Sequence, residues 1–133
     1  MITINKNRVV RAVFFAGVIP ALVAALSAGP VLSVAAERDV AAPWCLDRGG
    51  RVEVVLADGA RADCLLDEHA IEADYAENWA EAMGQALHYG RLSGRLPGVV
   101  LILRTPSDIR FAGYLRADAA HYSLPLFIWV VAP

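Results

Sequence analysis

Apolar and polar residues alternate through RVEVVLA, from Arg51 to Ala57. That period of two sets one face of a strand against a core. Asp58-Gly59 follows, the strongest short hairpin signal in the chain. ARADCLL, over 60–66, reads as the returning strand, and a bend near Glu68 leads into AIEADYA, over 70–76, as a third. At Glu77 the period changes. ENWAEAMGQALHYGRL carries alanines, Met83 and Leu87 at helical spacing, and the helix is expected to end at Gly94 as its C-cap. GVVLIL, over 98–103, is apolar on both faces, as an interior parallel strand is. Thr105, Pro106 and Asp108 then spell a helix start: N-cap, first helical position and acidic member of a capping box. The helix should run to about Tyr122, with Phe111, Leu115 and Tyr122 facing inward. LFIWVV after Pro125 reads as a last buried strand. Three antiparallel strands followed by helix, strand, helix, strand predict an α/β (α+β mixed) domain. Its mixed sheet should be flanked by helices, the last two strands joined by a right-handed crossover.

The chain before this pattern belongs to something else. Lys6, Arg8 and Arg11 precede an uncharged run from Ala12 to Ala36, broken by Pro20 and Pro30 and closed by the small residues VAA. That is the layout of a secretory signal peptide over 1–36, cut after Ala36. A retained N-terminal membrane anchor is the alternative, since the run is long enough to span a bilayer. A single domain over 37–133 remains, exported to the periplasm or secreted, with no stable membrane insertion after cleavage. Nine arginines face fourteen acids in it, for a net charge of −5, and it contains no lysine, because Lys6 is the only one. The acids crowd its first half. This is not the uniform basic footprint of a nonspecific DNA binder. Cys45 and Cys64 are the only cysteines, and in an exported chain such a pair reads as one disulfide. Two buried free thiols are the alternative.

Carboxylates on half-buried strands are costly unless something binds them. Glu72 and Asp74, two apart, point to one face of the third strand, and the short bend brings Asp63 beside Glu72. Like charges gathered in this way persist when a cation neutralises them or protons are taken up. An oxygen-only donor set completed by water suits Mg²⁺ or Mn²⁺. Simpler roles exist: Asp63 as a solvent-facing residue paired with Arg51, and Asp74 as a helix N-cap with Glu77 at the capping-box position. Asn78, Glu81, Gln85 and Tyr89 form a stripe on the following helix at steps of three and four. It is either a solvated face or a set of groups that can position a phosphate oxygen. His69 and His88 have no partner at metal spacing and read as structural or surface residues, Trp79 and Trp129 as core.

The hairpin, Asp63, IEAD on the next strand and GQALHY on the helix together resemble the PD-(D/E)XK nuclease superfamily, of restriction-endonuclease-like fold. A group of small bacterial proteins with this core is similar over nearly the whole domain. In the superfamily an Asp opens the motif, Glu-x-Lys follows on the adjacent strand, and some exonuclease-type branches add Gln-x-x-x-Tyr on the helix. The resemblance thus implies metal ligation by Asp63, Glu72 and the Ala73 backbone carbonyl, with Gln85 and Tyr89 orienting a nucleic-acid strand. Two departures stand out. Asp74 occupies the place of the lysine, and Asn78 the place where the similar small proteins carry one. The superfamily core also opens with a full helix, whereas Glu37 to Gly50 suggests at best a short one. Some restriction-type enzymes are active with an acidic residue at the lysine position, and Asp74 would then accept a proton from water.

The leading expectation is therefore an exported metal-dependent phosphodiesterase, a DNA nuclease with nucleic acid as partner. The alternative is an inactive domain of the same fold binding a protein or small ligand in the periplasm. A third reading is a disulfide-stapled structural protein with merely solvated carboxylates.

Overall fold

The structure, a computed structural model, describes residues 36–132. Apart from Ala36, the expected leader lies outside the described residues. Helix α1 (Glu37–Leu46) comes first, then strands β1 (Arg51–Val55), β2 (Arg61–Leu65) and β3 (His69–Tyr75). A 3-10 turn (Ala76–Asn78) leads into helix α2 (Trp79–Ser93), followed by β4 (Leu96–Ile102). A second 3-10 turn (Pro106–Asp108), helix α3 (Ile109–His121) and β5 (Phe127–Val131) complete the domain. The strands form one five-stranded sheet in the order β1-β2-β3-β4-β5. The first three are antiparallel, and β3, β4 and β5 run parallel. A mixed sheet flanked by helices is thus the architecture. Among the described residues, no helix is long and apolar enough to cross a membrane.

Strand alternation sorts the core into two layers. Ile71, Ala73 and Val100 face one side, where they pack with Ala41, Trp44 and Cys45 of α1. Val99 and Leu101 face the other, against Ala82 and Ala86 of α2 and Ala112 and Leu115 of α3. The alanines let α2 lie close to the sheet. The sequence signals at its far end hold: Gly94 caps α2 in the left-handed region at φ 67°. The Asp108 carboxylate takes the Thr105 N–H at 2.8 Å, as the capping box requires.

Gly98, at the centre of β4, has no room for a side chain. A Cβ there would stand 2.7 Å from the Trp129 ring and 3.2 Å from Ile71. Trp129 is wedged edge-on to Trp44, with ring centres 5.3 Å apart, and cannot simply swing away. Gly98→Ala should therefore cost about 1–3 kcal/mol, the range for overpacking a filled core. Urea denaturation of the variant beside the parent measures it.

Three expectations need correction. The opening helix is not marginal: α1 has ten residues despite Pro43, because Ala41, Trp44 and Cys45 are buried against the sheet. Tyr122 does not face inward but is 68% exposed, since α3 ends at His121 and turns the residue out. The last strand is not buried: β5 is an edge strand, with Phe127 exposed and the next four residues half-covered.

Candidate functional site

The cysteine pair is a disulfide, Cys45–Cys64, with Cα atoms 5.8 Å apart. It fixes α1 to β2 one residue from Asp63. A Cβ on Gly50 would lie 2.5 Å from the Cys45 sulfur and 2.8 Å from that of Cys64. Only glycine lets the chain leave α1 past the bridge.

β2 and β3 pair through Leu65–Ala70 and Cys64–Ile71, and the same register sets Asp63 opposite Glu72. There the backbone ladder gives way to a side chain: the Ala73 N–H donates to Asp63 Oδ2 at 2.9 Å. The other neighbour of Asp63 is distorted too. Glu53, opposite it on β1, adopts φ 55°, a left-handed conformation that costs a glutamate energy. Its carboxylate is gripped by Arg61 at 2.7 Å and Arg38 at 3.5 Å. Local strain of this kind concentrates at functional sites. The expected Asp63–Arg51 pair is absent from the register, since Arg51 stands opposite Leu65.

Glu72 is only 8% exposed and shares a hydrogen bond with the Asp63 carboxyl. Burial first, and the Asp63 charge second, push its pKa up to about 9. A neutral Glu72 can donate to Asp63. The Asp63 carboxyl is itself raised by burial, against the Ala73 and Glu72 hydrogen bonds that favour its charge. Asp74 is 7% exposed, and its Oδ1 accepts from the Tyr75 N–H at 2.6 Å and from Asn78 Nδ2 at 2.9 Å. Asp74 is thus tied to the first turn after β3, but not as the helix N-cap that the simpler reading supposed. The cap position of that turn belongs to Tyr75.

The helical stripe is a connected line. The buried Tyr89 hydroxyl donates to Gln85 Oε1 at 3.0 Å, and Gln85 Nε2 donates to Glu81 Oε1 at 3.1 Å. Tyr89 also meets the Glu72 carboxyl, so the line begins at the carboxylates. Burial, then the Glu72 charge, raises the phenol well above its usual range. The phenolic proton is given to Gln85 here, and Glu72 is the other acceptor within its reach. His88 lies outside this line and holds Asp58 Oδ2 at 2.7 Å across the β1–β2 turn. His69 packs edge-on to Phe127, with centroids 4.3 Å apart. Trp79 and Trp129 are partly buried, each packed against a core cluster as expected.

The site has a member that sequence reasoning missed. Glu37, the first residue of α1, shares a hydrogen bond with Asp74 and feels the charges of Asp74 and Asp63. Burial, then that hydrogen bond, pushes its pKa up to about 7, with Arg104 acting in the opposite direction. Nothing local marks Glu37; only the docking of α1 brings it there. A cavity of about 420 Å³ opens beside it, lined by Glu37, Arg38, Val52, Glu53, Arg61 and Asp63 among others. Its described wall includes Asp63 but neither Glu72 nor Asp74.

Of the expected site residues, Asp63, Glu72, Asp74, Gln85 and Tyr89 therefore border one region. They divide into two hydrogen-bonded groups, Asp63–Glu72–Tyr89–Gln85 and Glu37–Asp74–Asn78. Among the described residues, no three Asp, Glu, His or Cys side chains are gathered closely enough to hold a metal ion. Comparisons with protein-family models, curated proteins and solved structures found no match.

Proposed function

We propose that the chain is an exported, divalent-metal-dependent phosphodiesterase of restriction-endonuclease-like fold, with DNA as substrate. One observation carries the reading: Asp63 and Glu72, from adjacent strands, meet across the sheet, and Asp63 lines a cavity. The order helix, three antiparallel strands, helix, strand, helix, strand supports it, as does the Tyr89–Gln85 line running from the pair.

The donor chemistry fits a hard divalent ion. Mg²⁺ needs only one or two carboxylates and keeps several waters, so the absence of a third converging side chain does not disqualify the pair. Ala73 fits as well: the N–H and C=O of one strand residue lie on the same edge, so its carbonyl turns with its N–H toward Asp63. Asp63, Glu72 and that carbonyl would hold the ion, which supplies water activation and charge stabilisation at a phosphodiester. Glu72 must first shed the proton that its burial favours. Asp74, fixed by Asn78, accepts a proton from the attacking water, while Gln85 and Tyr89 orient the substrate strand.

The same domain as an inactive binding module is the second reading, and the absence of lysine from the sequence after Lys6 favours it. Purified mature protein and its Glu72→Ala variant, incubated with plasmid or linear DNA and Mg²⁺ or Mn²⁺, separate the two. Cleavage by the parent alone is expected. Equal cleavage by both, or by neither, ends the nuclease reading. Melting with Mn²⁺ is the second arm: at 100 times the Kd an ion bound only by the native state stabilises it by about 2.7 kcal/mol.

A further inference from the structure

We propose that hydrolysis of the Ala36–Glu37 peptide bond completes the carboxylate site, by leaving the α-ammonium of Glu37 as its resident cation. Water adds across the bond under a signal-peptidase-type protease. Ala36 departs with the new carboxylate, and the nitrogen of Glu37 becomes a protonated amine.

Four observations meet at this bond. Ala36 is exposed and extended, at φ −66° and ψ 150°, the accessible backbone that a protease requires. It follows the small residues Val34 and Ala35, which suit such an enzyme. Ala36 and Glu37 both line the cavity that contains Asp63, and the Glu37 side chain reaches Asp74. The nitrogen to be freed thus belongs to the residue whose side chain meets a buried carboxylate. Lastly, the site lacks an amine. No lysine follows Lys6, and Arg104, the cation acting on Glu37, is already engaged by Glu77 at 2.9 Å and lies over the Tyr75 ring at 3.7 Å.

Cleavage also removes the Ala36 N–H that Asp39 Oδ2 now accepts at 3.1 Å, which frees one more carboxylate for the ammonium. A positive charge at a helix start is ordinarily unfavourable. Here Glu37, Asp39, Asp63 and Asp74 offset it. The α-ammonium supplies the positive charge that the superfamily places on a lysine. The inference rests on the exported reading of the chain but not on the metal.

The absence of lysine makes the test unusually specific. The chain with its expected leader, residues 1–133, is expressed in an exporting host, and the exported protein is sequenced from its N-terminus. It is then treated with a zero-length carbodiimide, which condenses an amine with a carboxylate in contact, with loss of one water. Any such cross-link must involve the α-amine. The expected result is a chain beginning at Glu37, with its nitrogen joined to Asp74 or Asp63. That link should vanish in urea and in Asp63→Asn/Asp74→Asn, whose folding is checked by circular dichroism. A retained leader, a start at any other residue, a cyclised N-terminal glutamate, a link to Asp39 alone, or no link overturns the proposal. If the link forms but Mn²⁺ neither stabilises the protein nor supports cleavage, the phosphodiesterase reading fails and this one stands.

Discussion

Glu72→Gln is expected to melt well above the parent at pH 9 and to lose most of the parent's dependence on pH. Folding raises the Glu72 pKa from 4.5 to about 9, through burial and the Asp63 charge. The folded state therefore prefers the neutral acid. Its stabilising contribution is complete below about 4.5 and is lost as the pH climbs through the folded value near 9. Glu37, raised to about 7, acts with the same sign over the lower part of that window. Each pKa unit corresponds to about 1.4 kcal/mol, so the loss between pH 5 and pH 9 amounts to several kcal/mol. For a domain of this size, a melting temperature moves about 4–8 °C per kcal/mol, so the parent should fall by at least 10 °C. A glutamine keeps the shape and the neutral state at every pH, and its curve should be shallower. Thermal melts in EDTA at pH 5, 7 and 9 decide the matter, since chelation removes any contribution from ions. Superimposable curves for parent and variant would mean that Glu72 is not the buried acid described.

What could be read in the sequence was what local chemistry dictates. Asp58-Gly59 turned the hairpin, Thr105 and Asp108 started a helix, and Gly94 stopped one, each by contacts within a few residues. The meeting of Asp63 with Glu72 was legible for a related reason: a short bend fixes the register, and the register fixes which side chains oppose. What could not be read depended on docking. An apolar run such as LFIWVV does not reveal whether a neighbour will cover it, and β5 is the sheet edge. The segment 37–50 suggested at best a short helix, yet the buried face and disulfide of α1 hold it to the sheet. The same docking delivers Glu37 to Asp74, a partner that no spacing along the chain foretells.

Replacing both cysteines tests whether that docking depends on the bridge. Cys45 and Cys64 are fully buried and belong to an apolar cluster with Ala41, Trp44, Ile71 and Val100. They lie 19 residues apart, and closing a loop of about that length is worth roughly 3 kcal/mol through the unfolded chain. Cys45→Ala/Cys64→Ala adds the loss of two buried sulfurs, so the cost should exceed 3 kcal/mol, or about 15 °C in melting temperature. Reduction of the parent should reproduce most of the loss. The effect should also extend to the site. With α1 no longer anchored beside Asp63, Glu37 should separate from Asp74, and its pKa should fall from about 7 toward 4.5. Denaturant curves measure the first effect, and carboxyl titration by NMR the second. A double variant less than about 1 kcal/mol weaker than the parent would show that apolar packing alone seats α1. An unchanged Glu37 pKa in a clearly destabilised variant would instead separate the bridge from the site, making it a staple for the fold and nothing more.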